Sequence, residues 1–257
     1  MRAFRKYQGA GNDFVLFYKT GHDVSWSSHE IQSICDRRLG VGSDGLLFVE
    51  VLSSTFLKID FFNPDGSVSF CGNGARCAVR MAFNDGKIDA AGKFLGSDGE
   101  HSYEVLSEDI QISMALSAPP VAIDADWFVD TGSPHYVRFL EGVENCDMLS
   151  LGRSIRYSDR WKAEGVNVNL VEWKPEGLSM RTYERGVEDE TLSCGTGVTA
   201  AAICAAHMRP GVSEMSVKTR GGSFLVSWSR SADHAFADVK LRGPAVFVFE
   251  GQWPVSQ

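Results

Sequence analysis

Apolar residues in the first third of the chain come in short, dense runs, not at helical spacing. "FVLFY" (14–18), "LLFVEVL" (46–52) and "FLKIDFF" (56–62) each hold a strand's length of apolar or alternating residues between polar turns, which predicts three β-strands. The pattern then changes. Segment 71–84 opens on "CGNG" and continues rich in Ala, Arg, Val and Met, which predicts a helix. Alternation returns in "SYEVLSEDIQISMAL" (102–116) and predicts further strands. The later part of the chain follows the same plan. Strand-like "GVNVNLVE" (165–172) precedes "CGTGVTAAAICAAHM" (194–208), which is nearly all small or apolar, and "FLVSWSRSADHAFADVKL" (224–241) alternates again.

The two parts align. "QGAGNDFV" (8–15) faces "DTGSPHYV" (130–137), "SDGLLFVE" (43–50) faces "GVNVNLVE", and "ISMALSAP" (112–119) faces "ADVKLRGP" (237–244). With Cys71 set on Cys194, these matches fall in one order at a nearly constant offset, far too long for a solenoid repeat. The prolines of "SAPP" (117–120) punctuate the join. Two similar domains are expected, at 1–118 and 119–246. A helix apolar on all sides must be wrapped by other elements, so a curved sheet is expected around each central helix. The predicted fold class is therefore α+β: two similar domains, each a curved, mostly antiparallel sheet around a central apolar helix, with the active site in the cleft between them.

Composition narrows the function. The 257 residues are 44% hydrophobic and carry a net charge of −8. That is ordinary for a globular protein and ill suited to a nucleic-acid surface, which needs clustered Lys and Arg. The basic start "MRAFRKYQGAGNDF" lacks the apolar core of a secretory signal, and no apolar run is long enough to span a bilayer. A cytoplasmic location and no membrane partner are expected. The six cysteines are too sparse for a disulfide scaffold and lack zinc-site spacing. Cys35, Cys77, Cys146 and Cys204 read as small buried hydrophobes.

Cys71 and Cys194 differ, because each stands where a helix begins. Unpaired N–H groups and the positive end of the helix dipole favour a thiolate there and can cradle a carboxylate or phosphate. A phosphate loop fits poorly, since neither segment carries the lysine of GxxxxGK[ST] or the GxGxxG pattern. A single cysteine nucleophile leaves the duplication unexplained. Two acid/base thiols, facing one another from two domains, account for it: one removes a proton from one face of a carbon while the other supplies a proton to the opposite face. The bland alternative is that both cysteines fill space beside the glycines.

"GAGNDFV", "FFNPDGSVSFCGNGARC", "GSPHYV", "GVNVNLVE" and "YERGVEDETLSCGTG" together resemble the diaminopimelate epimerase family, within the wider group of cofactor-independent two-cysteine racemases and epimerases. The resemblance spans essentially the whole chain. It implies interconversion of LL- and meso-2,6-diaminopimelate with no pyridoxal phosphate, no metal and no other cofactor, in a homodimer whose segment 247–257 returns to the first domain. Cys71 and Cys194 would be the two bases, supported by His135, near the first cysteine, and by Glu184. Backbone N–H groups of Gly72, Asn73, Gly195 and Thr196 would hold the reacting carboxylate. Asn63, Asn167 and Arg185 would hold the distal carboxylate, Glu184 with Asn63 the distal ammonium, and Asn12 would also touch substrate. Two positions depart from the family pattern: Ser133 stands where many members have Asn, and Gly45 where some have Gln. The weighed alternatives are a racemase of another amino acid, of proline or hydroxyproline type, and a non-catalytic ligand-binding relative.

Overall fold

The apolar runs become strands and the two Cys-Gly segments become helices, in a mixed α/β fold made mostly of strands, with four α-helices among the described residues. The computed structural model describes residues 1–19, 26–232 and 235–254. In chain order, β1 (Arg2–Gly9) and β2 (Asn12–Tyr18) precede α1 (Ser28–Cys35), and β3 (Gly45–Ser53) and β4 (Phe56–Phe62) precede α2 (Gly72–Asn84). Next come β5 (Ala91–Gly96), β6 (Gly99–Val105) and β7 (Asp109–Ser113). Then β8 (Val121–Ile123), β9 (Asp126–Asp130) and β10 (Pro134–Phe139) lead to α3 (Met148–Arg156). β11 (Asn167–Lys174), β12 (Gly177–Glu184) and β13 (Asp189–Thr191) lead to α4 (Gly195–Met208). The last elements are β14 (Glu214–Lys218), β15 (Ser223–Arg230), β16 (Phe236–Pro244) and β17 (Val246–Trp253). The alternating stretch 102–116 thus breaks into β6 and β7, where Leu106 N–H donates to Asp109 O and closes a turn. Stretch 224–241 divides into β15 and β16, and its residues 233–234 lie outside those described.

Contacts divide the chain into two compact units. Unit 1 is Met1–Ile112 with the segment from Pro244 onward, and unit 2 is Ser113–Gly243. Of the tail 247–257, β17 pairs with β1, while 255–257 lie outside the described residues.

In unit 1 the strand order is β17-β1-β2-β3-β4-β5-β6-β7. β2–β3 and β4–β5 are parallel and the other pairs antiparallel. α2 packs against β1, β2, β3, β4, β6 and β17. Laid flat, β17 and β6 would stand about 30 Å apart, beyond the reach of one helix about 10 Å across, so this sheet curls around α2. Its outer face is covered by α1, whose Ile31, Ile34 and Cys35 pack with Phe4, Val15, Phe17, Leu46 and Phe48. α1 starts at a capping box in which Ser27 and Glu30 satisfy one another's backbone N–H groups, worth about 1 kcal/mol.

Unit 2 repeats the succession. β9–β10 is antiparallel, β10–β11 parallel, β11–β12 antiparallel, β12–β14 parallel, and β14–β15 and β15–β16 antiparallel. α3 covers one side, with Met148 and Ile155 against Tyr136, Val168, Leu170 and Tyr183. α4 packs against β9, β10, β11, β12, β14 and β15. It has no wet face until His207: Gly195 and Gly197–Ala206 are all buried.

Candidate active site

The unit 1 half begins at a hairpin. β1 and β2 are joined by Ala10 (φ 54°) and Gly11 (φ 84°), the left-handed pair that a tight two-residue turn requires, and Asn12 is the first residue beyond it. Asn12 Nδ2 donates to Asp44 Oδ2 at 2.6 Å, which turns Asn12 Oδ1 toward Cys71 Sγ, 3.8 Å away. Asn73 Nδ2 donates to the same oxygen at 3.4 Å. Asp44 is held by Arg37, which also grips Asp13 at 2.7 Å, and Lys6 reaches Asp13 at 2.6 Å. Burial would raise the Asp13 carboxyl, but hydrogen bonds from Arg37 and Lys6 outweigh it and hold the group down to about 2.

Cys71 is the N-cap of α2, with extended backbone (φ −134°, ψ 106°), and its sulfur stands where Ser or Asp usually caps a helix. Gly74 N–H points to Sγ at 3.5 Å and Ala75 N–H to Cys71 O at 2.8 Å. Helix geometry points the first N–H groups of α2, those of Gly72 and Asn73 included, outward past the helix end. One turn on, Arg76 is fully buried. Its Nη2 donates to Asn73 Oδ1 at 2.8 Å, its Nη1 to Gly72 O and its Nε to Pro244 O, each at 3.4 Å. Burial pulls the guanidinium down to about 10, still far above neutral, so it remains a cation beside Cys71 and Cys77.

Asn63 sits in the turn before Cys71. Its Nδ2 donates to Ser67 Oγ at 3.0 Å and Ser69 Oγ at 3.1 Å. An amide nitrogen has two hydrogens, so these bonds occupy it, and the carbonyl oxygen is the atom suited to a ligand. That favours an ammonium partner over a carboxylate. Gly45, the departure at the start of β3, has a packing reason: a Cβ there would stand 2.3 Å from the Phe61 ring. Phe61 fills the space that a longer residue would need.

In unit 2, Cys194 is the N-cap of α4 in the same extended conformation (φ −131°, ψ 113°), with Val198 N–H donating to its carbonyl at 2.8 Å. Its sulfur makes no capping bond to α4 and lies 3.3 Å from Thr196 Oγ1. Ser133 Oγ donates to Thr196 Oγ1 at 3.2 Å and lies 2.9 Å from His135 Nε2. Thr131 Oγ1 holds the Thr196 carbonyl at 2.9 Å. His135 is fully buried on β10. Burial, reinforced by the charge of Arg185, holds its pKa down to about 3, so its imidazole is neutral at physiological pH. The sequence reading ties His135 to the first cysteine as a proton-tuning group. The hydrogen bonds of its own unit lead to Cys194, and its neutrality suits it to donating a hydrogen bond, not to carrying charge.

Asn167 joins this set to the distal candidates. Its Nδ2 donates to Ser133 Oγ at 3.3 Å and Pro134 O at 3.1 Å, and its Oδ1 accepts from Arg185 N–H at 2.9 Å. The exposed Arg185 side chain donates through Nη1 to Glu164 O at 3.0 Å, and Glu184 closes β12. Three of the four bystander thiols are buried as expected, and burial raises Cys35, Cys77 and Cys204 above the ordinary cysteine range. Cys146 is only half-buried, its Sγ donating to Gly142 O at 3.7 Å. None of the six cysteines forms a disulfide.

Sequence reasoning missed Arg76, Asp44 and Asn169. Asn169 is fully buried two residues from Asn167 on β11, so both point to one face of the strand. Polar residues alternating inside an otherwise apolar strand were the available signal. Arg76 had no signal, because an arginine on a helix is ordinarily a solvated residue.

The model of the family described as diaminopimelate epimerase matches residues 4–117 and 127–248. A protein of Flavobacterium psychrophilum named diaminopimelate epimerase is 40% identical over 250 residues, covering 95% of this chain and 97% of its own. One of the same name from Chlorobaculum tepidum is 35% identical over 259 residues, with 95% and 98% covered. Among solved structures, a PhzF-family phenazine biosynthesis protein from Bacillus anthracis superposes with a TM-score of 0.73 at 14% identity, covering 99% of both chains. A probable proline racemase from Agrobacterium radiobacter, solved with bound carbonate, also gives 0.73, at 11% identity over 100% and 94%. Identities this low speak for the fold alone.

Proposed function

The chain belongs to the diaminopimelate epimerase family, and on that premise we propose that Cys71 and Cys194 are the two bases that interconvert LL- and meso-2,6-diaminopimelate. The observation that carries this reading is that each unit seats one cysteine at the mouth of a buried helix, at the same point in the same succession of strands. One thiolate takes the α-proton, and the other thiol delivers a proton to the opposite face. The roles then exchange, which serves both directions. Removing an α-proton pushes charge onto the neighbouring carboxylate. The N–H groups of Gly72 and Asn73, and of Gly195 and Thr196, are the donors for that charge, each backed by a helix dipole.

Asn63 takes the distal ammonium through its carbonyl oxygen, together with Glu184. Arg185 and Asn167 take the distal carboxylate, Arg185 by a bidentate pair once it leaves Glu164 O. We read the two units as the two domains of the family fold, the segment after Pro244 completing the first. A homodimer completes the proposal, with β17 as its contact strand. β17 pairs with β1 and exposes Val246, Phe247, Val248 and Phe249 in succession, more apolar edge than a monomer ordinarily leaves in water.

Incubation with LL-diaminopimelate in deuterated water tests the reading. Conversion to the meso form with solvent deuterium at the α-carbon is expected. Exchange into proline or hydroxyproline instead would reassign the substrate, and exchange into none of the three would remove catalysis.

A further inference from the structure

The polar chain behind Cys194 has a direction that can be worked out atom by atom. Asn169 fixes it. Its Oδ1 accepts from Thr182 Oγ1 at 3.0 Å and its Nδ2 donates to Tyr136 O at 3.1 Å, so the same nitrogen faces His135 Nδ1 at 3.0 Å. His135 Nδ1 therefore carries a lone pair, and in the neutral ring the proton sits on Nε2. That N–H donates to Ser133 Oγ at 2.9 Å. Ser133 Oγ also accepts from Asn167 Nδ2 at 3.3 Å, which fills both of its acceptor positions and leaves its one hydrogen for Thr196 Oγ1 at 3.2 Å. Thr196, having accepted, turns its own hydrogen to Cys194 Sγ, 3.3 Å away. Every member is buried or partly buried and belongs to unit 2.

We propose that His135, Ser133 and Thr196 form a one-way chain of neutral hydrogen-bond donors that ends on Cys194 and holds its sulfur in the thiolate form. A thiolate accepts a hydrogen bond strongly and a thiol accepts it weakly, so a donor locked in place favours the charged state. Donors that point the same way also polarise one another. The charged and titratable groups around the chain do not reverse it. Asp130 is engaged by Gly132 N–H at 2.9 Å, Arg185 adds a positive field at His135, and Asn169 and Thr182 from β11 and β12 are neutral. The fit leaves no slack: a Cβ on Gly197 would stand 2.5 Å from Asn169 Oδ1 and 3.4 Å from His135 Cε1. Ser133 and His135 are thus positioning residues that act on Cys194 through Thr196, an inference resting on the reading of Cys194 as a base.

The test is the pH dependence of alkylation by iodoacetamide, followed separately at Cys194 and Cys71 by peptide mass spectrometry on substrate-free protein. Ser133→Ala should raise the Cys194 midpoint by about one pH unit, so that it alkylates about tenfold more slowly near neutral pH, and leave the Cys71 midpoint in place. Ser133→Thr keeps the hydroxyl and should restore the wild-type curve. An unmoved Cys194 midpoint in Ser133→Ala, or equal movement at both cysteines, overturns the proposal. If that variant does not fold, Thr196→Val removes the last donor and must raise the same midpoint; no rise overturns the proposal equally. The assay needs no substrate, so its failure leaves the deuterium-exchange result untouched, and the converse also holds.

Discussion

Cys71 meets amides that are backed by charged groups; Cys194 meets a hydroxyl that is backed by a second hydroxyl and a neutral imidazole. The first sulfur caps its own helix, lies in the field of the buried Arg76 cation and faces Asn12, which Asp44 and Arg37 orient. The second leaves its helix uncapped by sulfur and meets a hydroxyl, behind which stand another hydroxyl and a neutral imidazole. One turn into each helix the contrast sharpens. Arg76 Nη1 reaches back to Gly72 O at 3.4 Å, and Thr199 Oγ1 reaches back to Gly195 O at 3.0 Å. The same carbonyl is satisfied in one unit by a cation and in the other by a small hydroxyl. A repeated backbone thus sets its two thiols beside different supports, a buried charge in one unit and, on our proposal, an ordered donor chain in the other. A buried cation acts strongly over distance but costs desolvation. Neutral donors cost little and act only at contact.

The largest expected effect breaks the pairing outright. Cys71→Ala and Cys194→Ala should each lower epimerisation by about a thousandfold or more, measured as LL-to-meso conversion, because neither support can replace the missing proton carrier. A variant that kept wild-type turnover would show that only one unit does proton chemistry. Next in size, Arg76→Met tests the charged support. Turnover should fall about tenfold, and the Cys71 alkylation midpoint should rise while that of Cys194 stays. The loss should be kinetic: a methionine fits the stem's space and removes a buried charge, so thermal stability should hold or rise.

Packing gives a smaller contrast. Gly197→Ala should cost about 2 kcal/mol by driving its Cβ into Asn169, 2.5 Å away. Gly74→Ala meets only the flexible end of Leu47 at 3.2 Å and should cost less than about 1 kcal/mol in a denaturant melt. Acid distinguishes the units as well. In the unfolded chain His135 takes up a proton near its ordinary 6.5, but in the folded protein burial keeps it neutral down to about 3. The unfolded state therefore binds more protons in that window, and stability falls as pH drops through it, by about 1.4 kcal/mol per unit. Asp13, ordinarily 3.8, is held down to about 2, so its contribution is lost only on going below its unfolded value. Hydrogen-exchange protection, measured relative to the intrinsic rate at each pH, should fall in β10 and β11 at about pH 5, before β1 and β2 respond. The smallest effect belongs to Cys35→Ala, which should leave turnover unchanged, since burial keeps that thiol protonated and Ser43 Oγ already donates to it at 3.3 Å.

Much of this was legible before any coordinates. The runs at 14–18, 46–52 and 56–62 are the cores of β2, β3 and β4, and the two Cys-Gly segments are the N-termini of α2 and α4. They could be read because strand and helix periodicities are local, and because a glycine cluster before a small-residue run marks a buried helix start. The alternating stretches 102–116 and 224–241 read as strands with turn residues between them and hold β6 with β7 and β15 with β16; only the strand ends were not legible, since period-two alternation does not mark them. Ser133 read as a shortened substrate contact; its neighbours in space make it the link between His135 and Thr196.

By itself the sequence determined the element types, the duplication, the family and the seating of two thiols at helix starts, because each of these is written in residues close along the chain or in motifs of fixed order. Only the tertiary structure decided the surroundings of each thiol. Arg76 is a core cation and not a surface one because strands at both ends of a curled sheet close over α2. His135 is neutral because burial strips its water away, and its proton belongs on Nε2 because Asn169, 34 residues on, presents a nitrogen to Nδ1. Protonation and hydrogen-bond direction follow from which groups are brought together and how much water is left between them, and neither quantity is local in sequence.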